Sequence, residues 1–212
     1  MKKTQRLKLQ PLDSLRRRFL QSTAYSAISV GLSPLVLANE GTEQMADSRP
    51  SPLGVDPRPE QMLRHLRQAN IVAQKAMDSG HHPFGAILVA ADNETVLMQQ
   101  GNLSSVEHAE STLAQRAAKQ YSAEELWGMT LYSTAEPCVM CAGTQYWANI
   151  GRLVYGISER QLLDLTGNHS ENPTLDVPSR YVFDRGQKAI KVWGPIDAVA
   201  EEIAALHINF WK

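Results

Sequence analysis

The sequence predicts an α/β fold with one central, mixed sheet of five strands covered by helices on both faces. Three observations predict it. A long stretch of helical periodicity starts at Pro59 and gives way to two short apolar runs separated by Asp92-Asn93-Glu94. After that, strand-like and helix-like segments alternate to the end of the chain, the pattern of a sheet sandwiched between helices. The chain has 212 residues, 43% of them hydrophobic, enough for one domain with a substantial core.

Each element follows in order. Met62, Leu66, Ala69, Ile71, Val72 and Ala76 share a broad apolar face, so a helix runs from Pro59 to about Ser79-Gly80. Ala86–Ala91 and Thr95–Gln99 read as the two strands of a hairpin. His108 to about Tyr121 is helical, with Leu113, Ala114, Ala117 and Ala118 facing inward. Met129–Ser133 is a buried strand, Cys138–Asn149 a helix and Arg152–Ile157 a strand. A short helix, Arg160–Leu165, leads into a Gly/Asn/Pro-rich stretch reaching Pro178. Ala189–Trp193 is the last strand, and Ile196 to about Leu206 the closing helix. The last two strands are about thirty residues apart with a helix between them, which makes them parallel.

The first 38 residues differ from the rest. Lys2, Lys3, Arg6, Lys8 and Arg16-Arg17-Arg18 form a basic head, and an apolar stretch from Ala24 ends at Val36-Leu37-Ala38, where a signal peptidase could cut. Arg16-Arg17-Arg18-Phe19-Leu20-Gln21 resembles the twin-arginine export motif, with Leu15 departing from its usual Ser or Thr. Residues 1–38 are therefore expected to be a signal peptide, and the protein periplasmic or otherwise exported. The alternative is an uncleaved anchor, for which Ser26, Ser29, Ser33 and Pro34 make the stretch weakly apolar. Residues 39–58 are polar and punctuated by Pro50, Pro52 and Pro57, and read as a flexible linker. The functional domain is expected over 59–212.

Charge narrows the partners. Of 21 basic and 22 acidic residues, the head holds seven and one, leaving 14 and 21 and a net charge of −7 beyond residue 38. Binding polymeric nucleic acid needs clustered Lys and Arg, so a small-molecule substrate is expected instead.

The chemistry is concentrated in His108-Ala109-Glu110 and Pro137-Cys138-Val139-Met140-Cys141. One imidazole and two thiolates make a soft, three-ligand set for one tetrahedral Zn2+ per chain with a corner left free, and no third cysteine exists to close it. Pro137 suits the start of a helix, and the free N–H groups of the first turn favour thiolate over thiol at Cys138 and Cys141. Glu110, two residues from the ligand His108, is placed to take a proton from a water that the metal acidifies. The duller readings are a satisfied surface histidine, a glutamate serving the helix dipole, and a dithiol that closes into a disulfide after export. A folded-state export route would reconcile zinc with an oxidising compartment, because the thiolates would cross already capped.

The combined signature is that of zinc-dependent deaminases of nucleobases. Together with Pro83-Phe84-Gly85-Ala86, Gly101-Asn102, Leu131–Cys141 and Tyr146-Trp147-Ala148, it resembles the cytidine and deoxycytidylate deaminase superfamily over about residues 60–157. Within that superfamily it is most similar to the bacterial guanine deaminase and nucleoside deaminase branch. The resemblance implies a cytidine deaminase-like three-layer α/β/α sandwich, commonly a homodimer. It implies His108, Cys138 and Cys141 as zinc ligands and Glu110 as the catalytic proton shuttle. It also implies that Asn102 hydrogen-bonds the base, that the Ala109 N–H meets a ring carbonyl, and that Phe84 lies near the base face. A guanine-like substrate is then expected, with a cytosine or cytidine-type deaminase, a non-catalytic zinc-stabilised protein or a dithiol redox protein as alternatives.

Other residues are less specific. His81-His82 reads as surface loop and Trp147 as a packing residue. His169, Asn172, Asp176 and Ser179 could shape a pocket or simply belong to a solvated loop. Phe210-Trp211 could close a pocket of its own chain or of a neighbour.

Overall fold

A computed structural model describes residues 48–211 apart from 168 and 209. The expected signal segment 1–38 and the first part of the linker lie outside the described residues. Among the described residues, no helix is long and apolar enough to cross a membrane.

The sheet has five strands in the order β2-β1-β3-β4-β5. They are β1 (Gly85–Val89), β2 (Val96–Gly101), β3 (Thr130–Ala135), β4 (Arg152–Ile157) and β5 (Lys191–Trp193). β1 pairs antiparallel with β2 and β3, while β3, β4 and β5 run parallel, so the sheet is mixed as the sequence predicts. The hairpin turn works as its residues suggest. Asp92 Oδ1 accepts the Glu94 and Thr95 N–H groups, and Asn93 takes the left-handed conformation at φ 59°. β3 and β4 are buried along their whole length, including the polar Thr130, Ser133, Thr134 and Arg152.

Helices cover both faces. On one face, α1 (Pro59–Asp78), α5 (Glu159–Thr166) and α7 (Ala200–His207) pack with Ile87, Val89, Tyr132 and Val154. On the other face, α2 (Ala109–Gln120), α4 (Val139–Ala148) and α6 (Ser179–Asp184) pack with Leu88, Leu131 and Leu153. α1 lies so close to the sheet that a Cβ on Gly85 would come within 2.3 Å of the Ala69 carbonyl oxygen. A side chain larger than hydrogen there would push α1 off β1.

Two helices are absent from the sequence reading. α3 (Ala123–Gly128) starts with a capping box, in which Ser122 Oγ accepts the Glu125 N–H and Glu125 accepts the Ser122 N–H. α6 has only six residues, too few to show a periodicity. The last strand is also shorter than expected, and the closing helix begins with a 3-10 turn at Asp197–Val199.

The part of the expected linker that is described, 48–58, is not a free tether. It has no secondary structure, yet it is fastened along the domain. The buried Arg152 guanidinium donates to the Leu53 and Gly128 carbonyls and pairs with Asp56, which also meets Lys191 Nζ at 2.8 Å. Arg49 donates to the Phe183 carbonyl at 3.1 Å, and Pro52 is buried. Proline-rich composition identified the irregular backbone but not the side chains that anchor it.

Candidate active site

His108 and Cys138 are the N-cap residues of α2 and α4, so two helix N-termini converge on one point. Cys138 thus precedes the first helical turn rather than lying in it, and Cys141 sits three residues on. His108 Nδ1 is 3.7 Å from Cys138 Sγ and 3.5 Å from Cys141 Sγ. All three donor atoms lie within 4.8 Å of one another, so these residues could hold a metal ion. A tetrahedral zinc ion at ordinary bond lengths would separate imidazole nitrogen and thiolate sulfur by about 3.6 Å. The set fits.

The imidazole is already oriented for this. His108 Nε2 lies 3.0 Å from the Ser105 carbonyl, which can only accept, so Nε2 carries the hydrogen. The Nδ1 lone pair is then directed at the two sulfurs. The thiols are electrostatically unequal. A hydrogen bond from Cys141 pulls the Cys138 thiol well below its usual value, with burial opposing. The same bond, with burial, pushes Cys141 up. Two sulfurs sharing one proton are a pair from which a soft cation displaces that proton.

Glu110 stands in the first turn of α2, buried beside Cys141. Ser133 Oγ on β3 donates to Glu110 Oε1 at 2.6 Å, which leaves Oε2 facing Cys141 Sγ at 3.5 Å. Burial raises the Glu110 carboxyl above the usual range, and the Ser133 hydrogen bond opposes this. Sequence reasoning missed Ser133. Nothing local sets it apart from Thr130 and Thr134, the other hydroxyls of the same strand.

A cavity of about 190 Å³ opens over this set, with His108, Glu110 and Cys138 on its surface. Phe84, Leu162 and Leu175 supply apolar wall. Glu136, Glu159 and Glu171 supply carboxyls, none of them singled out in the sequence. Glu136 has both oxygens occupied. Oε1 accepts the Ser179 N–H at 2.8 Å and hydroxyl at 2.7 Å, and Oε2 accepts the Glu159 N–H at 3.2 Å. It therefore fastens the end of β3 to the starts of α5 and α6. Glu159, in contrast, lines the cavity with only 5% of the residue exposed, and among the described residues no hydrogen bond reaches its carboxyl. Burial, reinforced by the negative Cys138 and Glu110, pushes it up to about 8.

The other expected contacts divide. Phe84 lines the cavity, and its ring lies 5.2 Å from that of His207. Asn102 does not line this cavity. It is buried beside a neighbouring one, with its N–H on the Phe84 carbonyl at 3.0 Å and its Nδ2 on the Ser104 carbonyl. Its Oδ1 is buried without a partner. Ala109 does not line the cavity either. Its methyl is in the core, though its N–H, at the head of α2, has no intrahelical acceptor.

Further differences concern the loop and the aromatic residues. His82 is no plain surface residue. It lines the cavity, and its ring meets Trp211 at 4.8 Å. Trp147 does not pack inward, being 83% exposed. Asn172 lines the cavity, Ser179 holds Glu136, and Asp176 pairs with Arg160. Trp211 folds back on its own chain, its Nε1 donating to His207 Nδ1 at 3.2 Å.

Residues 59–157 match the family model described as the cytidine and deoxycytidylate deaminase zinc-binding region. A protein named "probable cytosine deaminase" from Schizosaccharomyces pombe is 36% identical over 156 residues, covering 72% of this chain and 93% of that one. A tRNA-specific adenosine deaminase from Haemophilus influenzae is 38% identical over 131 residues, covering 57% of this chain and 73% of that one. The solved guanine deaminase from Nitrosomonas europaea shares the fold at a TM-score of 0.51, with 21% identity and coverage of 87% and 96%.

Proposed function

The chain belongs to the cytidine and deoxycytidylate deaminase family, and from that premise we propose that it is a zinc-dependent hydrolase releasing ammonia from a small aminated heterocycle. The observation that carries this reading is the convergence of His108 Nδ1, Cys138 Sγ and Cys141 Sγ with a buried carboxylate oxygen of Glu110 3.5 Å from Cys141. A closed structural site would not need that carboxylate.

In this reading His108, Cys138 and Cys141 hold one zinc ion per chain, which when bound acidifies a water and so supplies a nucleophile at neutral pH. Glu110 takes the proton that the water gives up as its oxygen adds to the amino-bearing ring carbon, and passes it to the adjacent ring nitrogen. It then carries the second proton of that oxygen to the departing nitrogen. The carbon–nitrogen bond breaks, ammonia leaves and an oxo group remains. Ser133 holds Glu110 Oε1 so that Oε2 faces the reacting centre. Phe84 packs against the ring, while Asn102 and the Ala109 N–H remain proposed base contacts.

The preferred ring is guanine-like, on the motifs Pro83–Ala86 and Tyr146–Ala148. A cytosine-like ring is the second reading, favoured by the nearly full-length match to a relative named as a cytosine deaminase. Polymeric RNA is the weaker substrate, because residues 39–212 carry a net −7. Export through residues 1–38 is proposed on their composition alone, and fractionation of cells making the full chain tests it. A homodimer is proposed on the family and on the exposed Val139, Met140 and Trp147 of α4, and light scattering tests it. The reaction itself is tested by ammonia release from guanine, adenine, cytosine, their nucleosides, pterins and aminotriazines. Release from at least one is expected, and silence across the panel would overturn the reading.

A further inference from the structure

We propose that Glu159 selects the substrate at this site, and that what it selects is an unphosphorylated heterocycle presenting ring or exocyclic N–H donors. The inference deepens the deaminase reading and rests on it for the reaction, but its test is a binding measurement.

The starting point is an unpartnered group. Among the described residues no hydrogen bond or ion pair reaches the Glu159 carboxyl, although the residue is only 5% exposed and lines the cavity. A carboxyl in so restricted a setting that no group of its own chain meets calls for a partner from outside it, water or a ligand. Its neighbour shows the contrast. Glu136, equally buried, has both oxygens satisfied by Ser179 and by the Glu159 N–H.

The placement is built rather than incidental. Ser158 caps α5, its hydroxyl accepting the Gln161 N–H at 3.1 Å while Gln161 Oε1 accepts the Ser158 N–H at 2.7 Å. The next N–H, that of Glu159, is fixed on Glu136 Oε2. Glu136 precedes Pro137 and the ligand Cys138, so the chain that sets the metal ligands also sets Glu159. The wall carrying the free carboxyl is thereby held in register with the reacting centre.

The remaining wall defines the chemistry. Four acidic residues line the cavity, Glu110, Glu136, Glu159 and Glu171, and among the described residues no Lys or Arg does. Phosphate recognition relies on Arg, Lys or a row of N–H donors. A phosphorylated ligand would bring its dianion against these carboxyls with no lysine or arginine to receive it. A ring rich in N–H groups offers what Glu159 lacks. Burial also keeps a proton on this carboxyl more readily than on an exposed one, so it can donate to a ring carbonyl as well as accept.

The test is equilibrium dialysis of the zinc-loaded Glu110→Ala protein, which binds without turning over, against guanine, cytosine, GMP and dCMP. At least one base should bind, and its 5′-monophosphate should bind at least about tenfold more weakly, the equivalent of one lost charge-assisted contact. Adding Glu159→Leu should weaken the base by about ten- to a hundredfold with zinc content unchanged. Glu159→Gln, of the same shape, should recover part of that loss, and it replaces the leucine variant if that protein fails to fold. Base affinity indifferent to both substitutions, monophosphates binding as tightly as bases, or no binding by either base would overturn the proposal. Bases that bind through Glu159 while the wild type releases no ammonia would refute the deaminase reading and leave this inference standing. Ammonia release with no dependence on Glu159 would do the reverse.

Discussion

The Ser133 hydroxyl donates to Glu110 Oε1 at 2.6 Å, joining the middle strand of the sheet to the carboxylate beside Cys141. The bond fixes one oxygen of a buried carboxylate and leaves the other, which faces Cys141 Sγ at 3.5 Å, for proton transfer. Ser133→Ala should therefore lower kcat by about ten- to a hundredfold, with KM and zinc content nearly unchanged. Steady-state kinetics with metal analysis checks this, and an unaltered kcat would remove Ser133 from the catalytic arrangement.

Zinc retention should depend on the three donors and not on the carboxylate. His108→Ala and Cys141→Ser should each lose most of the roughly one zinc per chain, because three protein ligands leave no redundancy. Elemental analysis of protein purified without chelator or reductant gives the answer. An oxidised Cys138–Cys141 pair without metal would instead support the dithiol reading.

Glu159 should reduce stability in metal-free protein. Its folded-state value is pushed up to about 8 from an ordinary 4.5, so its contribution to stability falls as pH rises from 4.5 toward 8. Glu159→Gln should then stabilise the chelated protein at pH 7 by on the order of 1–3 kcal/mol, with no gain near pH 4. Urea melts at the two pH values check both sign and window.

His207 acts in the opposite direction. Burial pulls its imidazole down to about 4 from 6.5, the nearby His82 adding to the shift. Between those values the unfolded chain binds a proton that the folded chain does not, so stability falls as pH drops from 6.5 toward 4. The loss should reach up to about 3 kcal/mol, and His207→Gln should flatten that slope relative to wild type. Parallel slopes for the two proteins would contradict the assignment.

Arg152 is fully buried and fastens 48–58 through the Leu53 carbonyl and Asp56. Arg152→Met should cost about 2–3 kcal/mol, since it leaves the Leu53 and Gly128 carbonyls without their guanidinium donor, while Asp56 keeps Lys191. It should also speed proteolysis ahead of Pro59. An unchanged cleavage rate would show that the segment is held elsewhere.

Much of this was legible in the residues. The period of 3.6 in α1 and α2, the hairpin turn at Asp92-Asn93-Glu94 and the spacing of His108, Glu110, Cys138 and Cys141 are local signals, and each leads to the element or cluster observed. What escaped depends on partners distant in sequence. Glu136 meets Ser179 across 43 residues, and Arg152 meets Leu53 across 99. Nothing local marks one glutamate as structural and Glu159 as free. His82 and Trp147 were misplaced for the same reason. The burial of the first comes from Trp211 at the far end of the chain, and no described residue from another element stacks on the second.

The central claim is that Glu110 moves the protons of a hydrolysis centred on His108, Cys138 and Cys141. The most direct measurement is ammonia release by zinc-loaded Glu110→Ala on whichever ring the wild type deaminates. The account predicts a rate at least about a thousandfold lower at undiminished zinc content. Ammonia release at a rate close to that of the wild type would contradict it.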